Sequence, residues 1–472
     1  MKIGLVVEGS YPYVSGGVAS WVHMVIQQMP MHQFEIIAIT PTQLTEADYK
    51  YNLPDNVAGV TNLSLDLKYD RPKPKHVLSV EQGRLIQQWM TFQHVEAPVF
   101  PIFEQAVGTS EHFFASRLFF ELVKTSYETE KQSGSFIDYL WMWRSMYTPV
   151  LELLQAELPQ VDLIHSASTG YAGLVASAIK QRQGVPYILT EHGIYSRERE
   201  EELLQATWIP VEYRAHWIRF FHHLSAEAYQ EADDVITLFD RNGELQQELG
   251  APAAKLRIIP NGIDAVRLSS LPVVEKGPIL KIGAIVRVVP IKDIKTMIHA
   301  AKVLQEMDVA FELTIMGPLD EDEEYATECQ QLIEQFELDP YVTLAGKVDI
   351  AAYLPTFDVC LLTSISEGQP LAVLEGMAAG VPWIVTDVGA CSELINGRED
   401  DPYGPAGFVV PPVNPGRIAE RCAWFATHRA DAKKLGENGK KRALKYYQTH
   451  QFIAEYVALY EERGLAYGGH RV

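Results

Sequence analysis

Cysteine is scarce: the 472 residues contain four. Cys329, Cys360, Cys391 and Cys422 recur at an even interval. Their contexts (ECQQ, DVCLL, GACSE, ERCAW) do not match, so the interval is chance rather than a repeat. No CxxC and no Cys/His pair with metal-binding spacing occurs, which excludes a disulfide framework and a structural zinc site; reduced, structural thiols are expected. Long apolar runs are missing too. None approaches the ~20 residues that span a bilayer. The opening MKIGLVVEGS has too short an apolar run for a signal peptide and reads as a first strand, so the expected location is the cytoplasm. Positive charge is the third shortage. Lys and Arg number 40 against 61 Asp and Glu, a net charge of -21. Nucleic acid and anionic lipid want basic surfaces and are poor candidates for the main partner. A local basic site remains compatible with this balance.

What is present is an ordinary globular composition, 47% hydrophobic and 21% charged. The length exceeds one core and predicts two domains. Short β-rich runs alternate with helical patterns, the signature of parallel α/β units. Expected strands begin at Lys2, Phe34, Val161, Pro186, Asp234 and Leu256 in the first half. In the second half they begin at Lys281, Phe311, Tyr341, Asp358, Pro382 and Gly407. VRLSSLPVVEKGPIL lacks a helical period and places a hinge at about 266–278. The expectation is a doubly wound domain over 1–265, a second over 279–442, and one long amphipathic helix over 443–472 that packs back across the first domain. Ligands would then sit at the carboxyl ends of the strands. Residues 70–160 do not fit a minimal domain. FFASRLFF and YLWMWRSMY predict an inserted helical subdomain, serving either as extra core or as an acceptor or partner surface.

Five stretches could carry chemistry. After the first strand, EGSYPYVSGGVASW puts Gly16 and Gly17 before a helix, where bare backbone can approach an anion. The pattern is not GxGxxG, and a plain strand-to-helix turn is an equal reading. GAIVRVVPIKDI places Arg287 and Lys292 beyond a strand. A fork and a point charge suit a diphosphate; a solvated basic loop is the alternative. TEHGIYSRERE puts His192 at a strand's carboxyl end, as either a structural or a catalytic imidazole, while Glu198 and Arg199 read as a solvated helix face. LDEDEEY offers Asp320 and Asp322 as a D-x-D pair inside an acidic run that reads as a surface loop. SISEGQPLAVLEGMAAGVP is the most informative. Pro370 suits a first helical turn and Gly380 ends the helix near Ala379. Glu367 falls in the loop before it and Glu375 on it. The amides of Gly368, Gln369 and Leu371 point outward, proline having none. Buried carboxylates need partners. Anion-binding amides flanked by two carboxylates suit a sugar, a diphosphate and a ribose.

SEGQPLAVLEGMAAGVPWIVTDVGACSELI resembles the E-x7-E segment of retaining glycosyltransferases of family 4, the GT-B group. Gly-Gly after the first strand, IIPNGID and the G…R…P.KD run follow the same family pattern in order. TEHGIYSRERE and the aromatic insert resemble the PelF subfamily, the cytoplasmic Pel exopolysaccharide glycosyltransferases. The resemblance implies a GT-B fold of two Rossmann-like domains facing a cleft. It implies transfer of a hexose or N-acetylhexosamine from a UDP-sugar to a growing exopolysaccharide, with retention and without a metal or other cofactor. His192 and Glu367 would contact the donor sugar, with Arg287 and Lys292 neutralising the diphosphate. Gly16 and Gly17 would approach the diphosphate or the sugar, Gly368, Gln369, Pro370 and Leu371 would line the phosphates, and Glu375 would hold the ribose. Inner-membrane Pel synthase components would be the partners, with no nucleic acid. The sequence does not choose among donor sugars.

Three other functions compete: a UDP-sugar epimerase of similar fold, a glycosidase, and a non-catalytic nucleotide-sugar binder. A retaining glycosidase holds its carboxyls ~5–5.5 Å apart across the bond. Glu367 and Glu375 span a loop and more than one helical turn, which argues against it.

Overall fold

A computed structural model of the chain describes residues 1–66, 78–106, 108–130 and 134–468. It divides into two compact units. Unit 1 comprises Met1–Thr237, Gly243–Ile258 and Tyr456–Val472, and unit 2 comprises Leu238–Asn242 and Ile259–Glu455. The chain therefore enters its long unit 2 stretch at Ile259, ahead of the expected hinge at 266–278, and stays there to Glu455. The reason is local: the short helix Ala265–Ser269 packs on two unit 2 helices, Leu371–Ala378 and Arg429–Tyr446.

Unit 1 is built on seven strands: β1 (Lys2–Glu8), β2 (Gln33–Thr40), β3 (Val57–Ser64), β4 (Leu163–Ser166), β5 (Tyr187–Thr190), β6 (Asp234–Thr237) and β7 (Leu256–Ile258). Their order is β3-β2-β1-β4-β5-β6-β7, all parallel. Leu5 of β1 faces Ile36 on one side and His165 on the other. The centre of β1 is buried throughout, as expected for a strand covered on both faces. The strand order reverses between β1 and β4, where such sheets open a crevice. β3 was absent from the sequence expectation. It is an edge strand whose first six residues are half-buried or exposed, so VAGVTNLS carries no apolar run.

Five helices between β3 and β4 account for the described part of the aromatic stretch: Val80–Met90, Phe100–Ala106, Ser110–Phe114, Arg117–Thr129 and Phe136–Gln155. Residues 70–77, 107 and 131–133 of that stretch lie outside the described residues. Trp89, Tyr139, Trp143 and Tyr147 are fully buried in the same core as Val6, Ile37 and Leu189 of the sheet. Trp143 stacks on Tyr147 at 5.4 Å, and the Tyr147 hydroxyl donates to the Met90 carbonyl at 2.6 Å. Most of these aromatics are thus extra core.

Unit 2 is a six-stranded parallel sheet: β8 (Leu280–Ile285), β9 (Phe311–Met316), β10 (Val342–Gly346), β11 (Val359–Leu362), β12 (Trp383–Thr386) and β13 (Gly407–Val410). The order β10-β9-β8-β11-β12-β13 reverses between β8 and β11. Gly283 of β8 is required by packing, since a Cβ there would lie 2.5 Å from the Phe357 ring.

The tail is two helices, Arg429–Tyr446 and Thr449–Gly468, not one. At Tyr447 and Gln448 the backbone leaves the helix to pair with Ile263. From Tyr456 onward the second helix belongs to unit 1. There Tyr460 hydrogen-bonds His165 at 2.7 Å and Tyr456 hydrogen-bonds Thr190 at 2.9 Å. Residues 469–472 of the expected tail helix lie outside the described residues. Among the described residues, no helix is long and apolar enough to cross a membrane.

Candidate active site

In unit 2 the chemistry-bearing residues follow β8 and β11, the two strands flanking the reversal. After β8 the chain makes a short 3-10 turn, Pro290–Lys292, and Asp293 adopts φ 48°. The Asp293 carboxylate then caps the helix Ile294–Glu306 by accepting from the Thr296 amide. After β11 the Thr363 hydroxyl donates to the carbonyls of Lys292 and Asp293, at 3.0 and 3.1 Å. This fastens the two loops together. Lys292 Nζ then reaches Glu367 Oε1 at 2.6 Å, with side-chain exposures of 16% and 8%. Ser364 donates to the same oxygen. So shielded an ion pair is weakly screened by salt. Both bonds fall on Oε1, which among the described residues leaves Oε2 of Glu367 and two ammonium protons of Lys292 for a ligand.

The loop before the helix Leu371–Ala378 is clamped from β12. The Ala390 amide donates to the Gly368 carbonyl at 2.9 Å. Gly389, at φ +51°, lies so close that a Cβ would sit 2.1 Å from the Glu367 carbonyl oxygen. Pro370 is the N-cap, at φ -71° and ψ 112°, rather than a first-turn residue. The amides of Gly368, Gln369, Leu371 and Ala372 have no carbonyl partner among the described residues. They form the positive end of a helix dipole, a natural seat for an anion. The Gln369 side chain is not part of that seat. It is 6% exposed and hydrogen-bonded to backbone at both ends.

Glu375 lies further along the same helix, half-buried, with no hydrogen-bond partner among the described residues. Burial pushes its carboxyl above the usual range, and the Arg267 charge offsets this in part. A half-buried, unpartnered carboxylate is costly in the empty protein and suits a ligand that brings hydroxyls.

Arg287 is not joined to this group. Its Nη1 pairs with Glu321 at 2.8 Å and the side chain is half exposed. It does line a cavity of ≈ 260 Å³ at the carboxyl ends of β8, β9 and β10, with Val286, Met316, Gly317, Lys347 and Val348. Gly317 is needed there because a Cβ would strike the Val286 carbonyl at 1.8 Å. Neither Met316, Gly317 nor Lys347 was picked from sequence. Their only signal was their place at the end of β9 or just past β9 and β10. Asp322 caps the helix Glu323–Gln335 through the Tyr325 amide, and Asp320 faces Lys347 at 3.9 Å.

In unit 1, His192 follows β5. Its half-buried ring packs edge-on to Trp21 at 4.9 Å. Burial lowers its pKa to about 4, so the imidazole is neutral near pH 7. Its Nε2 is buried without a hydrogen-bond partner among the described residues. Gly16 and Gly17 open the helix Gly17–Gln28, are exposed, and would meet nothing within 4 Å if given a Cβ. Packing does not demand glycine at either position, while a ligand close to the backbone would. Arg199 is not on a solvated face as expected. It pairs with Glu8, at the end of β1, at 3.0 Å, and Glu8 also accepts from the Tyr195 hydroxyl at 2.9 Å.

Residues 1–254 match the family described as "Domain of unknown function (DUF3492)", and residues 274–442 match "Glycosyl transferases group 1". The MMP alpha-(1->4)-mannosyltransferase of Mycolicibacterium hassiacum is 24% identical over 310 residues, 64% of this chain and 70% of that one. The UDP-Gal:alpha-D-GlcNAc-diphosphoundecaprenol alpha-1,3-galactosyltransferase of Escherichia coli is 26% identical over 315 residues, 59% of this chain and 74% of that one. Among solved structures, sucrose-phosphate synthase from Thermosynechococcus elongatus superposes with a TM-score of 0.62 at 16% identity, covering 98% of this chain and 99% of that one. Anabaena HepE in complex with UDP-glucose gives 0.58 at 15% identity, over 96% and 99% of the two chains. The chain belongs to the DUF3492 family, carries a group 1 glycosyltransferase domain behind it, and is a glycosyltransferase of GT-B fold.

Proposed function

We propose that the protein transfers a hexose or N-acetylhexosamine from a UDP-sugar to a growing exopolysaccharide of the Pel type, with retention at the anomeric carbon. The observation that carries the donor site is the joined ends of β8 and β11. There Lys292, paired with Glu367, stands near four amides and a Glu375 carboxylate that have no hydrogen-bond partner among the described residues. UDP-glucose in HepE supports the uridine donor. The Pel assignment, the cytoplasmic location and docking onto inner-membrane Pel components rest on the sequence resemblance.

In this reading the diphosphate lies on the amides of Gly368, Gln369 and Leu371. Lys292 neutralises it, and Arg287 does so after exchanging Glu321 for phosphate. The cavity beside Gly317 takes the base. Glu375 accepts from the ribose hydroxyls. Glu367 Oε2 accepts from the donor sugar, and its Oε1 keeps the ammonium of Lys292 in place. That Gly16, Gly17 and His192 of unit 1 also serve the donor rests on the sequence resemblance alone. Bond breaking sends negative charge onto the β-phosphate, where preorganised donors stabilise it most. The departing phosphate oxygen takes the acceptor's proton as the acceptor attacks from the same face. The amides and both cations supply the diphosphate's countercharge without a divalent ion.

The test is purified protein with a panel of UDP- and GDP-sugars, with and without an oligosaccharide acceptor, products identified by NMR. Transfer from a UDP-sugar with an unchanged anomer supports the reading. An epimerised donor, cleaved glycan or no reaction with any acceptor would overturn it.

A further inference from the structure

Gln369 stands in two structures at once. Its backbone amide is one of the donor-loop groups with no carbonyl partner among the described residues. Its side-chain Oε1 accepts from the Asn261 amide at 2.7 Å, and its Nε2 donates to the Leu238 carbonyl at 3.3 Å. Those partners lie where the chain passes between the units, which it does after Thr237, after Asn242 and again after Ile258. The last passage, after Glu455, follows a segment stitched to the same place. The Ile263 amide donates to the Tyr447 carbonyl at 2.9 Å, and the Thr449 amide donates to the Ile263 carbonyl at 3.0 Å. Gly262 permits this approach, since a Cβ would lie 2.7 Å from the Thr449 Cα. All of these contacts lie within unit 2.

We propose that Gln369 is a positioning residue that couples occupancy of the donor loop to order in the segments 238–242 and 259–264. The proposal rests on the reading that a diphosphate sits on the Gly368–Leu371 amides. A phosphate oxygen held by the Gln369 amide restrains that residue's backbone. Its carboxamide then keeps both hydrogen bonds, each of which is modest and opens when the loop moves. The donor would thus tighten the passages between units without touching them. The sequence IIPNGID acquires a physical role in this arrangement. Asn261 offers its amide to Gln369, Gly262 allows close approach, and Ile263 pairs with the tail.

Hydrogen exchange on the full chain, with and without saturating UDP, tests this. In the wild type, UDP is expected to slow exchange in 238–242 and in 259–264 by about fivefold, the worth of about one neutral hydrogen bond. Gln369→Met should abolish the UDP-dependent slowing in both segments. Gln369→Glu keeps the acceptor for Asn261 and loses the donor for Leu238. It should abolish slowing in 238–242 alone, which keeps the test decisive if the methionine variant does not fold. A merely structural glutamine would loosen both segments equally with and without UDP, leaving the UDP-dependent difference intact in the variants. That result overturns the coupling, as does UDP binding to the wild type with no slowing. Failure of the wild type to bind UDP in calorimetry would instead overturn the donor-site reading.

Discussion

Replacing Glu375 with glutamine removes one negative charge and keeps the side-chain volume. The carboxylate is half-buried, accepts no hydrogen bond among the described residues, and is opposed chiefly by Arg267, itself paired with Asp264 at 3.5 Å. Glutamine should therefore fold at least as stably as the wild type, with a higher Tm at pH 7. The pH dependence has a definite sign. A carboxyl whose folded pKa lies above its unfolded value adds stability below the unfolded pKa, and that contribution is lost as pH rises through the folded pKa. The Tm difference between variant and wild type should thus be small at pH 4 and grow towards neutrality. Donor binding should move the other way. A hydrogen bond to a charged group contributes ~1.5–3 kcal/mol, about ten- to a hundredfold in KM. Gln keeps an acceptor oxygen and should sit near the low end, and Glu375→Ala near the high end. Both should leave kcat almost unchanged, because ribose contacts are equal in ground and transition states. Steady-state kinetics with thermal melts across pH decide the matter. A wild-type KM in both variants, or a less stable Glu375→Gln, would refute the reasoning.

Glu367→Ala should mainly lower kcat, by about ten- to a hundredfold, because it removes a contact beside the breaking bond and frees Lys292; a change confined to KM would place the sugar elsewhere. UDP-sugar binding in calorimetry should survive EDTA; loss on chelation with recovery by Mn²⁺ would show that the cations and amides do not suffice. Gly389→Ala should lower both stability and turnover, since its φ of +51° and the Glu367 carbonyl leave no place for a methyl group; wild-type melting would show that the loop can move aside. Trp143→Ala should cost about 3–5 kcal/mol of stability in denaturant unfolding, as a fully buried core ring; a near-neutral variant would return the insert to the role of a separate surface.

Much of the architecture was legible because buried parallel strands are continuous apolar runs. VCLL and WIVT are buried at every residue and read plainly. β3 was not legible, because an edge strand need not be apolar. Placement was legible where a candidate residue lies just past a strand: Lys292 after β8, Glu367 after β11, His192 after β5. It was hidden where roles depend on residues far apart in sequence. Nothing in EGQP says that the Gln369 carboxamide is committed to Asn261 and Leu238, and nothing in GAIVRVV says that Arg287 rests on Glu321. The break in the tail at Tyr447 was hidden for the same reason, since its cause is pairing with Ile263.

The most direct test of the donor site is a crystal structure of the full chain with UDP. It should show the diphosphate within hydrogen-bond distance of the Gly368, Gln369 and Leu371 amides and of Lys292 Nζ, with the ribose hydroxyls on Glu375 and the base beside Gly317. UDP bound with its ribose away from Glu375, or with its phosphates away from Lys292, would contradict the account.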